Sequence, residues 1–406
     1  QSPLLKRLYV APGNGGTAAI ATNLPIDAED IPALVTAARR HDIGLTVVGP
    51  EAPLAAGIVD AFQTEGLPVF GPTRAAARIE ASKVWAKGLM RRHGIPTARA
   101  EAFDSIASAH AYIDSLPLGG AVVKADGLAA GKGVVLAATK EDAKAAAEAM
   151  LSGRAFGQAG KRIVVEERLD GPEVSVFALV DGEAVSPEIA ACDYKRALDG
   201  DRGPNTGGMG AYSPPEHALW NLDLAALVRR RILQATASAM ASEGCPFRGV
   251  LYAGLMLTDD GPKVLEYNCR FGDPEAQVTL PRLESDLLEA CLAVAQGRLA
   301  GLHLSWGGRP RVAVVMASGG YPGTYTTGHP IAGLEAATRR GLVFHAGTRH
   351  DGHCTLTLGG RVLAAVGEGD DIAAARAAAY TAVKQISFEG AVFRTDIAAR
   401  ALEATG

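Results

Sequence analysis

Cysteine is sparse in this chain and never closely paired. Five cysteines occur in 406 residues, at Cys192, Cys245, Cys269, Cys291 and Cys354, with no CxxC among them. That spacing argues against a disulfide scaffold or a thiolate zinc site, and it fits reduced thiols in a cytoplasmic enzyme. Aromatic residues are also few, at 5%, and neither sign of charge dominates, since the net charge is −4. Such a balance gives no bias toward a polyanion, so nucleic acid is not an expected partner. The stretch 312–334 holds no Lys, Arg, Asp or Glu, yet Gly319, Gly320, Pro322, Gly323 and Pro330 interrupt it, so it does not read as a membrane span. The opening residues show no basic-apolar leader. His350 and His353 lie beside Asp351 and Cys354, but with no second cluster a solvated loop is a better reading than a metal site. What remains is a 48% apolar chain with room for roughly two to four domains and a substantial core.

A Walker A loop is missing too, and its absence is informative beside what replaces it. Ala121-Val-Val-Lys124-Ala-Asp126-Gly127-Leu-Ala-Ala-Gly131-Lys132-Gly133 reads as a strand, a glycine-rich turn and the start of a second strand. Only three residues separate Gly127 from Gly131, and Gly133 stands where a metal-holding Ser or Thr would be needed. Metal ligands must therefore come from elsewhere. Lys263-Val-Leu-Glu266-Tyr-Asn268 can supply them, because strand alternation turns Glu266 and Asn268 to one face. Two lysines, a flexible glycine turn and a hard-oxygen pair are what a magnesium nucleotide requires. A plain glycine hairpin would not call for two lysines.

Along the chain, residues 8–71 alternate as α/β. Leu8-Tyr-Val is a short strand, Ile31 to His41 a helix capped by Asp30, and Ile43 to Val48 a buried strand. The turns after the two strands, which hold Asn14 and Glu51, lie where a small ligand binds in an open parallel sheet, or are plain connections. Ser82 to Gly94 reads as a helix. A compact unit follows from about Phe103 to Leu169, with a helix that Thr139 caps and a closing strand Ile163 to Glu167. Further strands are expected at Val174 to Val180 and Val250 to Leu257. Between them lie a glycine loop at 203–210 and a long helix from about Asp223 to Glu243, whose apolar face Arg231 interrupts. Ser285 is expected to cap a helix reaching Gln296. From Arg311 a new strand-rich unit begins, ending in the helix Ile372 to Ile386.

Val-Val-Lys124-Ala, the glycine turn, Glu166-Glu167-Arg-Leu169 and Leu-Glu266-Tyr-Asn268 follow one another as in the ATP-grasp superfamily. Gly203-Pro-Asn-Thr-Gly-Gly-Met-Gly-Ala-Tyr-Ser-Pro214 and Asn268-Cys-Arg-Phe-Gly-Asp-Pro-Glu275 are more specific. With Tyr252-Ala-Gly-Leu-Met, Val48-Gly-Pro-Glu-Ala-Pro53 and Gly319-Gly-Tyr-Pro-Gly323, they resemble the glycinamide ribonucleotide synthetases, or phosphoribosylamine–glycine ligases, over nearly the whole chain. Two departures stand out. The family usually opens with a strand and a Gly-Asn-Gly-Gly-Arg-Glu-His turn, whereas this chain starts at Gln1, so the first strand of the N-terminal sheet and part of the acceptor site are expected to be absent. Many superfamily members also carry an acidic ligand on the preceding strand, where this chain reads Gly254-Leu-Met-Leu257.

The resemblance implies an α/β and α+β multidomain fold. A Rossmann-like (pre-ATP-grasp) domain would span 1–80, the large ATP-grasp lobe 81–102 and 170–305, the lid lobe 103–169 and a strand-rich C-terminal domain 306–406. It implies ATP-dependent joining of glycine to 5-phosphoribosylamine through glycyl phosphate, in purine biosynthesis, by a monomer acting on small molecules away from membranes. Another ATP-grasp carboxylate–amine ligase, or an ATP-binding fragment without turnover, are the alternatives. By position, Lys83 and Lys124 would meet the phosphates, and Gly127, Gly131, Lys132 and Gly133 would fold over them. Glu166, Glu167 and Leu169 would read adenine through backbone groups, and Glu173 would hold the ribose. Glu266 and Asn268 would hold magnesium, with manganese as the other candidate. Arg270 and Asp273 would act at the reacting end together with Lys124. Asn14, Glu51, Gly207 and Gly208 are expected at the substrate, as are Asp193, Lys195 and Arg196 in a charged loop, which reads equally as a solvated face.

Overall fold

The computed structural model describes residues 2–117, 120–128, 133–153 and 160–403. At the N-terminal end, Tyr9–Val10 pairs in parallel with Thr22–Asn23, and Thr46–Val47 with Val69–Phe70. The helix Ile31–Arg40 begins where Asp30 Oδ1 accepts the Ala33 amide at 3.1 Å, with Pro32 in the first turn. The strand expected over 43–48 shortens to Thr46–Val47, and Val47 is 49% exposed. A run of apolar residues does not by itself specify burial on both faces.

A four-stranded antiparallel sheet orders Ala100–Phe103, Ile163–Glu167, Ala121–Ala125 and Val134–Ala137. It takes in Ala100, three residues ahead of the expected start of the lid lobe at 103. Helices Ile106–Ser115 and Lys140–Leu151 cover one face, packing Ala109, Ile113, Ala143, Ala147 and Met150 against Val123, Ile163 and Val165. Thr139 Oγ1 accepts the Asp142 amide at 3.0 Å and caps the second helix. Alternation then turns Lys124, Val164 and Glu166 to the other face.

The largest sheet has nine strands among the described residues. Its order is Gly261–Asn268, Arg248–Thr258, Glu173–Asp181, Ile189–Asp193, Gly210–Ser213, Arg311–Ala317, Arg361–Glu368 and Leu342–His345, with Ala184–Val185 paired to Glu173–Asp181. Gly210 to Ser213 pair antiparallel with Val314 to Arg311, so the strand-rich unit from Arg311 continues the central sheet rather than starting a new one. Val176, Ala178, Leu251 and Ala253 point to one face, where Val228, Ile232, Leu233 and Met240 cover them. Phe177, Leu179, Val250 and Tyr252 point to the other, against Val278, Ala290, Cys291 and Val294.

The long helix expected over 223–243 is helical from Leu222 to Ser242, but residues Arg229–Gln234 form a π turn. The extra residue per turn rotates Arg231 outward to an exposed position, while Ile232 and Leu233 stay buried. A second adjustment concerns the helix Leu287–Ala295. Asp286 Oδ1, not Ser285, accepts the Leu288 and Glu289 amides, at 2.8 and 3.2 Å. Ser285 Oγ instead accepts the Ser305 amide at 3.0 Å. No helix among the described residues is long and apolar enough to cross a membrane.

Candidate active site

The edge of the large sheet carries the polar residues. Tyr252 lies opposite Asn268 and Gly254 opposite Glu266, and residues paired across strands share a face. Gly254 also pairs with Ser175, so Glu266, Asn268, Tyr252 and Ser175 project from the same side. The absence of a side chain at Gly254 leaves Glu266 uncovered: a Cβ there would come within 3.7 Å of Glu266 Cγ. Among the described residues the Glu266 carboxylate forms no ion pair within 4.0 Å, yet it sits in a strongly positive field. Burial alone would raise its pKa, but Lys124, Lys195, Lys83 and Arg270 together hold it below the usual carboxylate range. An ionised carboxylate beside an amide oxygen is a hard-oxygen donor set of the kind magnesium accepts.

Opposite this edge stands a buried triad that joins the two lobes. Lys124 Nζ lies 3.1 Å from Glu166 Oε1, as an ion pair rather than an aligned hydrogen bond, and donates to Leu265 O at 3.0 Å. Lys87 Nζ lies 3.0 Å from Glu166 Oε2 and donates to Thr97 Oγ1 at 2.8 Å. Thr97 Oγ1 in turn donates to Val264 O at 2.6 Å. Burial and the neighbouring Lys124 charge lower the Lys87 pKa to about 8, against the pull of Glu166. Two ammonium groups sharing one carboxylate leave an excess positive charge beside Glu266, which suits a phosphate chain. Glu166 was expected to contribute backbone groups; its side chain is the centre of this triad. Glu167 Oε1 accepts the Arg99 amide at 2.9 Å. The amide of half-buried Leu169 is bonded to no described residue, which leaves it available to a ligand.

Lys83 opens the helix Lys83–Arg92. Ser82 Oγ caps that helix through the Trp85 amide at 3.1 Å and donates to Asp126 Oδ1 at 2.9 Å, which also accepts the Val84 amide at 3.1 Å. The root of the glycine turn is thus anchored to the helix that presents Lys83. Gly127 has a φ of 142°, a conformation that favours glycine. The Ala125 amide bonds Gly133 O at 2.8 Å. Gly131 and Lys132 lie outside the described residues.

Beyond the triad, Glu173 accepts from Lys195 Nζ at 2.5 Å, and Lys195 lies 3.9 Å from Asp193. The expected charged loop is largely strand here, since Asp193 closes Ile189–Asp193 and Arg196 opens Arg196–Leu198. Asp193 and Lys195 join the site, whereas the Arg196 side chain donates to Gly203 O at 2.8 Å. Ser175 Oγ is 2.7 Å from Tyr252 Oη, which donates to Glu275 Oε1 at 2.7 Å. Burial first, and the Asp193 charge second, raise the Glu275 carboxyl to about 7.

At the far end, Arg270 ties three segments together. Its Nε lies 3.1 Å from Glu51 Oε2, its Nη2 3.4 Å from Glu80 Oε1, and Nη2 also reaches Asn268 Oδ1 at 3.5 Å. The turn expected at Glu51 is the start of the helix Glu51–Ala56, which aims this carboxylate at Arg270. Burial raises the Glu80 carboxyl despite the facing Arg270. Asp273 Oδ2 accepts from Arg361 Nη2 at 2.8 Å and Oδ1 accepts from Gln277 at 2.8 Å, so its carboxylate already has partners. Gly208 packs on this turn, where a Cβ would stand 2.4 Å from Pro274 Cδ. Asn14 does not reach this cluster. Its Oδ1 accepts the Gly16 and Thr17 amides at 2.9 Å each, and its Nδ2 donates to His345 O at 2.8 Å. It organises its own turn and ties it to the C-terminal unit. Lys87, Glu80, Asp126 and Arg361 were not singled out from the sequence, because their partners lie tens to hundreds of residues away.

This architecture matches known proteins along its length. Residues 1–80, 81–276 and 311–400 match the N, ATP-grasp (A) and C domains of phosphoribosylglycinamide synthetase. The phosphoribosylamine–glycine ligase of Allochromatium vinosum is 51% identical over 408 aligned residues, covering 99% of this chain and 94% of that protein. That of Yersinia pestis is 50% identical, with the same coverage. Among solved structures, phosphoribosylamine–glycine ligase from Thermotoga maritima superposes with a TM-score of 0.83 at 34% identity, covering 96% of this chain and 94% of that one. A biotin carboxylase from Campylobacter jejuni shares the fold alone, with a TM-score of 0.67 at 15% identity over 95% of this chain and 86% of that one. With all three domains matched in order and half of all residues identical across the full length, the chain belongs to the phosphoribosylamine–glycine ligase family.

Proposed function

We propose that this chain joins glycine to 5-phosphoribosylamine at the cost of ATP, giving glycinamide ribonucleotide, ADP and phosphate, in the cytoplasm and as a monomer. The observation that carries this reading is the shared strand face of Glu266 and Asn268, with Lys124 Nζ on Leu265 O at 3.0 Å and Arg270 Nη2 on Asn268 Oδ1 at 3.5 Å. In this reading residues 103–169 form the lid and Lys83 and Lys124 neutralise the phosphates. The Leu169 amide and the Glu166–Glu167 strand end face the adenine, and Glu173 faces the ribose. Glu266 and Asn268 would hold a divalent metal, which we take to be magnesium with manganese able to replace it. When bound, that ion offsets charge on the phosphate oxygens.

The glycine carboxylate oxygen attacks the γ-phosphorus, forming an O–P bond as ADP leaves. The amine nitrogen of phosphoribosylamine then attacks the carbonyl carbon, loses a proton, and expels phosphate by cleavage of the C–O bond. Positioning and charge neutralisation account for most of such a reaction, so no protein nucleophile is needed. Arg270, steadied by Glu51 and Glu80, presents its guanidinium at the reacting end. Glycine labelled with heavy oxygen in its carboxylate should pass one labelled oxygen to the released phosphate. Phosphate carrying no label would rule out the acyl phosphate.

A further inference from the structure

Among the described residues of the C-terminal unit, Arg361 reaches the turn that follows Arg270. Arg361 opens the strand Arg361–Glu368, the seventh position in the continuous sheet. Its Nη1 donates to Gly207 O at 2.7 Å and to Asp273 O at 2.9 Å, and its Nη2 donates to Asp273 Oδ2 at 2.8 Å. The other side of the Gly207 residue is held as well, because its amide donates to Tyr321 Oη at 3.0 Å. Tyr321 in turn packs against Gly360, where a Cβ would stand 2.3 Å from its ring. Gly207 is therefore gripped at both its N–H and its C=O by one unit, while Gly208 packs on Pro274.

The grip extends inward. Thr206, next in the loop, accepts the Gly208 amide at 3.0 Å and donates to Lys195 O at 2.8 Å, and its own amide bonds Lys195 O at 2.7 Å. Lys195 carries the contacts to Glu173 and Asp193. One planar guanidinium thus spans the glycine loop, with Lys195 behind it, and the turn after Arg270. A fork of fixed geometry suits this, because it constrains the direction of each bond as well as its length.

We propose that Arg361 is a positioning residue, which fixes the glycine turn at 206–209, between the strands Arg202–Asn205 and Gly210–Ser213, relative to the Asp273 turn and so shapes the acceptor end of the site from the C-terminal domain. This rests on the function proposed above for its kinetic consequence, though not for the physical tie. Two measurements on the full chain separate those parts. Hydrogen exchange without ligands should be faster across 206–209 in Arg361→Met than in the parent protein. Unchanged exchange there would overturn the proposal whatever the protein catalyses. Steady-state kinetics should then show kcat/KM for phosphoribosylamine falling by about tenfold or more in Arg361→Met, with the KM for ATP nearly unchanged. Arg361→Lys, which keeps the charge but not the fork, should recover only part of the loss. An equal loss toward ATP and acceptor, or full recovery by lysine, would also overturn it. If the parent protein makes no glycinamide ribonucleotide at all, the proposed function falls, and the exchange comparison still decides whether the tie exists.

Discussion

Glu275 shows how much a single residue's surroundings decide. It is a carboxyl only 4% exposed, hydrogen-bonded to Tyr252, with Asp193 as a like-charged neighbour and Lys195 and Arg270 as nearby cations. Burial leads the effects that raise its pKa from an ordinary 4.5 to about 7. Between those two values the folded chain keeps a proton that the unfolded chain releases. Its contribution to stability is therefore full below pH 4.5 and is lost as the pH rises to about 7. Glu275→Gln keeps an acceptor for Tyr252 and removes the titration. The melting temperature of this variant relative to the parent should rise between about pH 5 and pH 8. A difference that stays flat or falls over that range would show that Glu275 is not held protonated by burial.

At the level of elements, local chemistry sets the ends and tertiary packing sets the interiors. The helix Leu287–Ala295 starts where a side-chain oxygen meets two free amides, and that oxygen belongs to Asp286. Asp286→Ala should lower stability by about 1 kcal/mol, and Ser285→Ala by less, in denaturant titration. The reverse order would return the cap to Ser285. Both residues are good capping types, and they are adjacent, so the sequence alone does not choose between them. The caps at Asp30 and Thr139 were legible because each stands alone before its helix. The paired face of Glu266 and Asn268 was legible because a strand period of two requires it. The π turn at 229–234 was not, although Arg231 in an apolar stripe marked a mismatch that the extra residue resolves. The Lys87–Glu166–Lys124 triad was also hidden, since it joins residues from a helix and two strands whose contact exists only once both lobes pack.

Across the whole molecule, the strand-rich unit expected from Arg311 coincides with the start of the matched C domain, and its first strand is paired into the central sheet. The strand Gly210–Ser213 joins the ATP-grasp sheet to Arg311–Ala317 residue by residue. Asn14 adds a tie from the N-terminal turn to His345 and Ala346. Arg394, 1% exposed, lies over the Tyr194 ring and pairs with Asp201 and Asp396, bracing the segment between Asp193 and Lys195 from the chain's last turns. The segments matched to the N, ATP-grasp and C domains are thus tied to one another by named side chains, and Glu51 from the first and Arg361 from the last reach Arg270 and Asp273 of the second. The most direct measurement is a product assay with ATP, glycine and freshly made phosphoribosylamine, leaving out each in turn. Glycinamide ribonucleotide and ADP should form together only when all three are present. Amide product with another amino acid in place of glycine at a similar rate, or ADP release that ignores phosphoribosylamine and yields no amide, would contradict it.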